Sequence, residues 1–197
     1  MSKLKKSGLL LIILILISSS AIANIDLEQE AEITDFRNVN WEMTLEEVLE
    51  NEEAELLAEE NEVLVYETEV AGLPTTLIYF FYENQLAAAE YRFNNNYTNP
   101  NNYIDDYSKL VNLLSEKYGP PTEDKTVWHN NLFENEPPSH GLAISLGHLE
   151  FWSKWATNDV EITSRLNGRN YNINFKISYQ STDFENASTE ENYLDHL

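Results

Sequence analysis

Between residues 63 and 93 three β-rich runs follow one another with only tight punctuation between them, and that spacing restricts how the chain can fold. Val63-Leu64-Val65-Tyr66-Glu67-Thr68-Glu69-Val70 is the first run, and Gly72-Leu73-Pro74 ends it. The second, 75–82, is apolar on both faces around Leu77, Ile78, Tyr79, Phe80 and Phe81, the pattern of a central strand. Glu83-Asn84-Gln85 makes a turn, and 86–93 returns as a third strand whose Ala87, Ala88 and Ala89 leave room for something bulky. A crossover between parallel neighbours takes a dozen or more residues, so these strands read as an antiparallel meander.

Helices flank it on both sides. Tyr103, Tyr107, Leu110, Val111, Leu114 and Tyr118 recur on one face of an α-helix. Asn102 is the expected cap, and Gly119-Pro120-Pro121 ends the helix in the usual way. Upstream, 36–48 reads as a short apolar strand running into a helix start. Thr44 and Glu47 fit a capping box, Met43 and Val48 a hydrophobic staple, and Trp41 offers the bulk to anchor a core. The apolar set of this helix is Leu45, Val48, Leu49, Leu56 and Leu57, but its other faces are almost wholly acidic. Without Lys or Arg for i,i+4 pairs its later turns are marginal, and a break near Asn51 is expected.

The remainder reads as β: a short strand at 126–128, a loop over 130–140, and strands at 141–146 and 149–155 turning at Gly147-His148. Then comes the clearest hairpin, with Val160, Ile162 and Leu166 alternating on one arm and Ile173, Phe175, Ile177 and Tyr179 on the other. Asn167-Gly168-Arg169-Asn170 is the expected turn. Runs of strands with two helices, rather than strict alternation, predict an α+β fold: an antiparallel sheet of about six to eight strands with two main helices packed on one face. Each helix precedes a strand meander, a faint internal echo.

Lys3, Lys5 and Lys6, the apolar run 9–17 and Ala21-Ile22-Ala23 form a secretory signal at 1–23, too short to span a bilayer, although an uncleaved anchor is the alternative. Cleavage near Ala23 is expected to export the chain beyond the cytoplasmic membrane, whether secreted, periplasmic or at the cell surface. A flexible leader follows at 24–35. The expected domain is a single α+β unit at 36–181, open to division into halves at 36–120 and 121–181, and 182–197 is expected to be a disordered acidic tail. The exported chain of 197 − 23 = 174 residues carries 12 − 3 = 9 basic against 34 acidic residues. Such a charge repels nucleic acid and anionic membrane surfaces. No cysteine is present, which excludes disulfides, thiolate metal sites and a lipid anchor after the apolar run.

No chemistry stands out. His129, His140, His148 and His196 are the available bases, and no Ser lies in a G-x-S-x-G elbow. His140 and His148 with Glu150 form the nearest approach to a metal set, without H-E-x-x-H or a calcium-loop spacing. Acid pairs such as Asp105-Asp106, Glu46-Glu47 and Glu52-Glu53 are too common to single out a glycosidase pair. With six glycines there is no phosphate-cradling loop. The reading is of no catalytic residue, no cofactor and no metal. Trp128, Trp152 and Trp155 are candidate platforms; Trp152 and Trp155, three apart on a strand, face opposite sides.

Phe36-x-x-Val39-x-Trp41-x-Met43-Thr44-x-Glu46-Glu47-Val48, Tyr79-Phe80-Phe81 and Lys117-Tyr118-Gly119-Pro120 together resemble a class of uncharacterised bacterial secreted proteins and lipoproteins. Their start reads W-G-M-(S/T)-x-x-E-V and their second helix ends in K-Y-G-x-P; this chain departs at Glu42, where the pattern has Gly. More distantly, the opening looks like the envelope modules of the SmpA/OmlA (BamE-like) and β-lactamase-inhibitor-like groups. The resemblance implies a non-enzymatic envelope role and carries over no site residue. The expectation is a binding or assembly module with an unknown protein partner. The alternatives are a carboxylate-dependent hydrolase of extracellular polymer and a purely structural envelope protein.

Overall fold

The structure is a computed structural model and describes residues 35–184. The expected export signal (1–23), the leader (24–35) except Asp35, and the expected disordered tail (182–197) from residue 185 onward lie outside the described residues; Thr182–Phe184, expected in that tail, is instead an ordered 3-10 turn.

The chain enters through a tight turn. Phe36 and Val39 exchange backbone hydrogen bonds of 3.0 and 2.9 Å, so 36–39 is a closed turn and not the strand its apolar residues suggested. Helix α1 (Leu45–Asn51) follows with its capping box in place. Thr44 Oγ1 accepts the Glu47 N–H at 3.3 Å, and the Glu47 carboxylate accepts the Thr44 N–H at 2.8 Å. The helix stops at Asn51, where uncompensated acids were expected to end it. Leu56 and Leu57 therefore leave the helical set and lie exposed in an edge strand, β1 (Glu55–Glu60).

Seven further strands and two helices follow: β2 (Val63–Val70), β3 (Leu73–Tyr82), β4 (Gln85–Phe93), α2 (Asn102–Tyr118), β5 (Glu123–Trp128), α3 (His140–Ser145), β6 (Leu149–Ala156), β7 (Val160–Arg169) and β8 (Asn172–Ser181). The described residues form an α+β fold with one eight-stranded antiparallel sheet in the order β1-β2-β3-β4-β8-β7-β6-β5. Each half of that order is a four-strand meander preceded by a helix. The two meanders join through their last strands, and Glu90 opposite Ser178 is the middle pair of the β4–β8 seam.

Three local readings are corrected. Residues 141–146 belong to α3, not to a strand, since so short an apolar run suits either state. Gly141 decides the matter: a Cβ there would lie 2.4 Å from Asn101 N, and Asn101 Oδ1 accepts the Gly141 N–H at 2.7 Å. Asn101 rather than Asn102 stands at the N-cap of α2, and its amide makes this tertiary bond instead of a cap bond. The β7–β8 turn falls at Asn170-Tyr171, with φ of 52° and 66°, beyond the expected position. Gly168 lies within β7 because α3 passes close by; a Cβ would sit 2.5 Å from the Ile144 carbonyl oxygen.

Leu64, Leu77, Tyr79, Tyr91, Ile162, Leu166, Phe175 and Ile177 point to the helix side and form the core with Val48, Leu110, Leu114 and Ile144. Phe36 lies among them, with Trp41, Tyr79, Tyr91 and Tyr179 all within 6.2 Å ring to ring. Trp41 is only partly buried, so the bulk expected of it is supplied by Phe36. At the far end Thr182–Phe184 makes a 3-10 turn, and the Phe184 ring meets Tyr82 at 6.5 Å.

Candidate functional site

Side chains on a strand alternate between faces, so residues between the core positions define a second face of the sheet, open in that no helix among the described residues packs on it. One row of cross-strand partners runs across all eight strands: Ala58, Val65, Ile78, Glu90, Ser178, Thr163, Lys154 and Glu123. The next row reads Glu55, Glu67, Thr76, Arg92, Lys176, Arg165, Trp152 and Lys125. Apolar side chains occupy the β2–β4 part, where Ile78 and Phe80 are buried although they face away from the core. The β4–β5 part is charged.

Glu90 sits at the centre, with only 1% of its side chain exposed. Arg92 Nε donates to Oε1 at 2.6 Å, while Lys176 Nζ and Ser178 Oγ donate to Oε2 at 3.0 and 2.9 Å. Burial alone would push this carboxyl up, but the bonds from Arg92 and Lys176 outweigh it and hold Glu90 below the usual glutamate range. Further out, Arg165 Nε donates to Glu150 at 2.7 Å, with His129 Nε2 3.6 Å from the other carboxylate oxygen. Lys154 pairs with Glu161 at 2.6 Å and Lys125 pairs with Glu123. The Lys125 ammonium also lies 4.7 Å from the centroid of the half-buried Trp152 ring.

The other buried carboxylate, Glu52, lies on the helix side. It accepts two bonds from Arg37, one from Tyr79 Oη at 2.6 Å and one from the Ala54 N–H at 2.9 Å. Burial opposes its ionisation, yet these donors hold it below the usual range. Tyr79 is raised by burial and by that same bond. With both oxygens doubly occupied, Glu52 has no lone pair left to take a proton from a substrate, and its role is to tie the entry turn to the start of the sheet.

The sequence candidates are dispersed. Glu150 is taken by Arg165 and His129, whereas His140 packs edge-on against Trp128 at 5.1 Å and His148 stacks on Phe133 at 6.0 Å. Among the described residues no group of three His, Asp or Glu is placed to hold a metal ion, and His196 lies outside them. Trp155 is buried in the core and donates to the Gly119 carbonyl at 3.0 Å. Trp152 faces the open side, as its offset from Trp155 predicted, and Trp128 packs against the core. Arg92, Lys176 and Arg165 did not stand out in the sequence. Their only signal was a place between core residues of amphipathic strands, and their alignment depends on strand register.

Fold and site together define an α+β protein with one helix-covered and one open sheet face, the open one bearing a charged, tryptophan-containing surface. Comparison with protein-family models, with curated proteins and with solved structures gives no match.

Proposed function

We propose that the chain is an exported, non-enzymatic binding or assembly module that docks a protein partner on the open face of its sheet. One observation carries this. Of the nine Lys and Arg that follow the expected signal (12 − 3), Arg92, Lys125, Lys154, Arg165 and Lys176 stand on this face, and Arg169 continues it at the hairpin end. A chain with 34 acids thus gathers most of its cations, together with Trp152, on one surface. Trp and Arg are the side chains most enriched where protein partners bind.

The motif resemblance through Trp41, Met43 and Glu47 supports the same reading, and residues 1–23 support export. The hydrolase alternative needs a carboxyl whose pKa is raised to act as an acid. Both buried carboxyls, Glu52 and Glu90, are held down instead, and they lie on opposite faces of the sheet.

The test is capture of a partner from the cell envelope by the wild-type chain and by Thr163→Arg, which places bulk in the middle of the open face without touching the core. Loss of the same partner with unchanged thermal stability supports the reading. Equal capture by both proteins, or none above background at low and high salt, counts against it. Amino-terminal sequencing of the exported chain, expected to begin at Asn24, tests the address.

A further inference from the structure

Three cations stand directly opposite one another on three adjacent strands: Arg92 on β4, Lys176 on β8 and Arg165 on β7. The same row continues through Trp152 on β6 to Lys125 on β5. Like charges in direct cross-strand register destabilise a sheet. The acids that relieve them come from elsewhere: Arg92 and Lys176 share the single carboxylate of Glu90, and Arg165 draws on Glu150. From β4 to β5 the face carries six cations (Arg92, Lys125, Lys154, Arg165, Arg169, Lys176) against four carboxylates (Glu90, Glu123, Glu150, Glu161), a local balance of +2 in a chain whose total is −22. Core packing requires none of this, because these side chains point away from the core.

We infer that this row is a docking stripe for an extended acidic segment of a protein partner, lying across the strands from Arg92 to Lys125. The inference rests on the open face being the docking surface. Five strands at a spacing of about 4.8 Å make the row about 19 Å long, the span of about six extended residues. Alternate side chains of such a segment face the same way, so three carboxylates would meet Arg92 with Lys176, Arg165, and Lys125. The side chains of Arg165 and Lys125 are 47% and 53% exposed and can turn from their own glutamates to an incoming carboxylate.

The probe is an acetylated octapeptide alternating glutamate and serine, with glutamine/serine and lysine/serine counterparts, titrated by calorimetry. The glutamate peptide is expected to bind and to weaken about tenfold between about 20 and 200 mM salt. Arg165→Gln and Lys125→Gln, both at exposed positions, each reduce its affinity several-fold without moving the melting temperature. Carbodiimide coupling should join the peptide to Lys125, Lys154 and Lys176, and not to Lys109 or Lys117 on α2. If the glutamine peptide binds this face as tightly as the glutamate one, the acidic partner is overturned while the docking face stands. If the glutamate peptide does not bind, or couples chiefly to Lys109 and Lys117, the stripe is overturned; failure of the glutamine peptide as well would count against the face itself.

Discussion

Arg37 and Glu52 are joined by two parallel hydrogen bonds, Nε to Oε2 at 2.9 Å and Nη2 to Oε1 at 3.0 Å. The pair fastens the entry turn to the C-cap of α1, and Tyr79 of β3 closes on the same carboxylate. The two partners are unequal, since the Arg37 side chain is 25% exposed and that of Glu52 is not exposed at all. Removing one member of a buried pair costs about 3–5 kcal/mol, chiefly from the charge left behind. Arg37→Met is therefore expected to approach that loss, and Glu52→Gln to cost less because the guanidinium can reach water. Urea denaturation of both variants checks the order; equal or negligible losses would mean that the pair is not a structural tie.

Acid should unfold the protein through two carboxyls. Glu52 and Glu90 both have depressed pKa values in the folded state. Each therefore contributes stability that is complete above the unfolded glutamate value of about 4.3 and is lost as pH falls through the depressed folded value. The urea midpoint is expected to be nearly flat from neutrality down to about pH 5 and to drop steadily below it. Glu90→Gln should be less stable at pH 7 yet show a shallower acid slope. An unchanged slope would remove Glu90 from this account.

Glu42 adopts φ of 68°, a left-handed conformation that costs a residue with a Cβ about 1–2 kcal/mol. Glu42→Gly relieves that strain but adds freedom to the unfolded chain, so a net gain of up to about 1 kcal/mol is expected in thermal melts. In the same segment Phe36, 5% exposed among four rings, should outweigh the partly buried Trp41. Phe36→Ala is expected to cost about 3–5 kcal/mol and Trp41→Ala distinctly less. A larger loss at Trp41 would restore it as the anchor.

Close backbone approach makes two further positions intolerant of a single methyl group. A Cβ at Gly168 would meet the Ile144 carbonyl oxygen at 2.5 Å and that of Asn172 at 2.7 Å, all backbone atoms of packed elements. Gly168→Ala and Gly141→Ala are each expected to destabilise by about 1–3 kcal/mol through forced displacement of α3. Hydrogen exchange should quicken at 140–145 first. Unaltered exchange there would show that α3 is not clamped by these contacts.

Much of the fold was legible because it rests on local patterns. The β2–β4 meander, α2 and the alternation along β7 and β8 follow from apolar spacing, and the Thr44–Glu47 box from a four-residue signature. What failed were places where tertiary contacts choose between local options. Leu56 and Leu57 belong to the apolar set expected of the first helix, yet α1 ends at the expected break, Asn51, and the two leucines stand in β1 beyond the Arg37–Glu52 pair. Residues 141–146 read as strand until Asn101 receives the Gly141 N–H. The open-face stripe was hidden for a different reason: Arg92, Arg165 and Lys176 are separated by up to 84 residues and become neighbours only through the register of β4, β8 and β7.

The β4–β8 seam sets the order in which such a sheet can assemble. Within each meander consecutive strands pair, mostly through tight turns, although α3 and its flanking loops separate β5 from β6. The seam alone joins residues 84 to 92 positions apart, as in Arg92 with Lys176 and Ala88 with Gln180. Contacts of high sequence separation are entropically the slowest to form. Two fast-forming halves are therefore expected to meet in one late step. In that step the carboxylate of Glu90, on the first half, finds Lys176 and Ser178 on the second, so the rate of joining the halves should depend on salt through this one carboxylate.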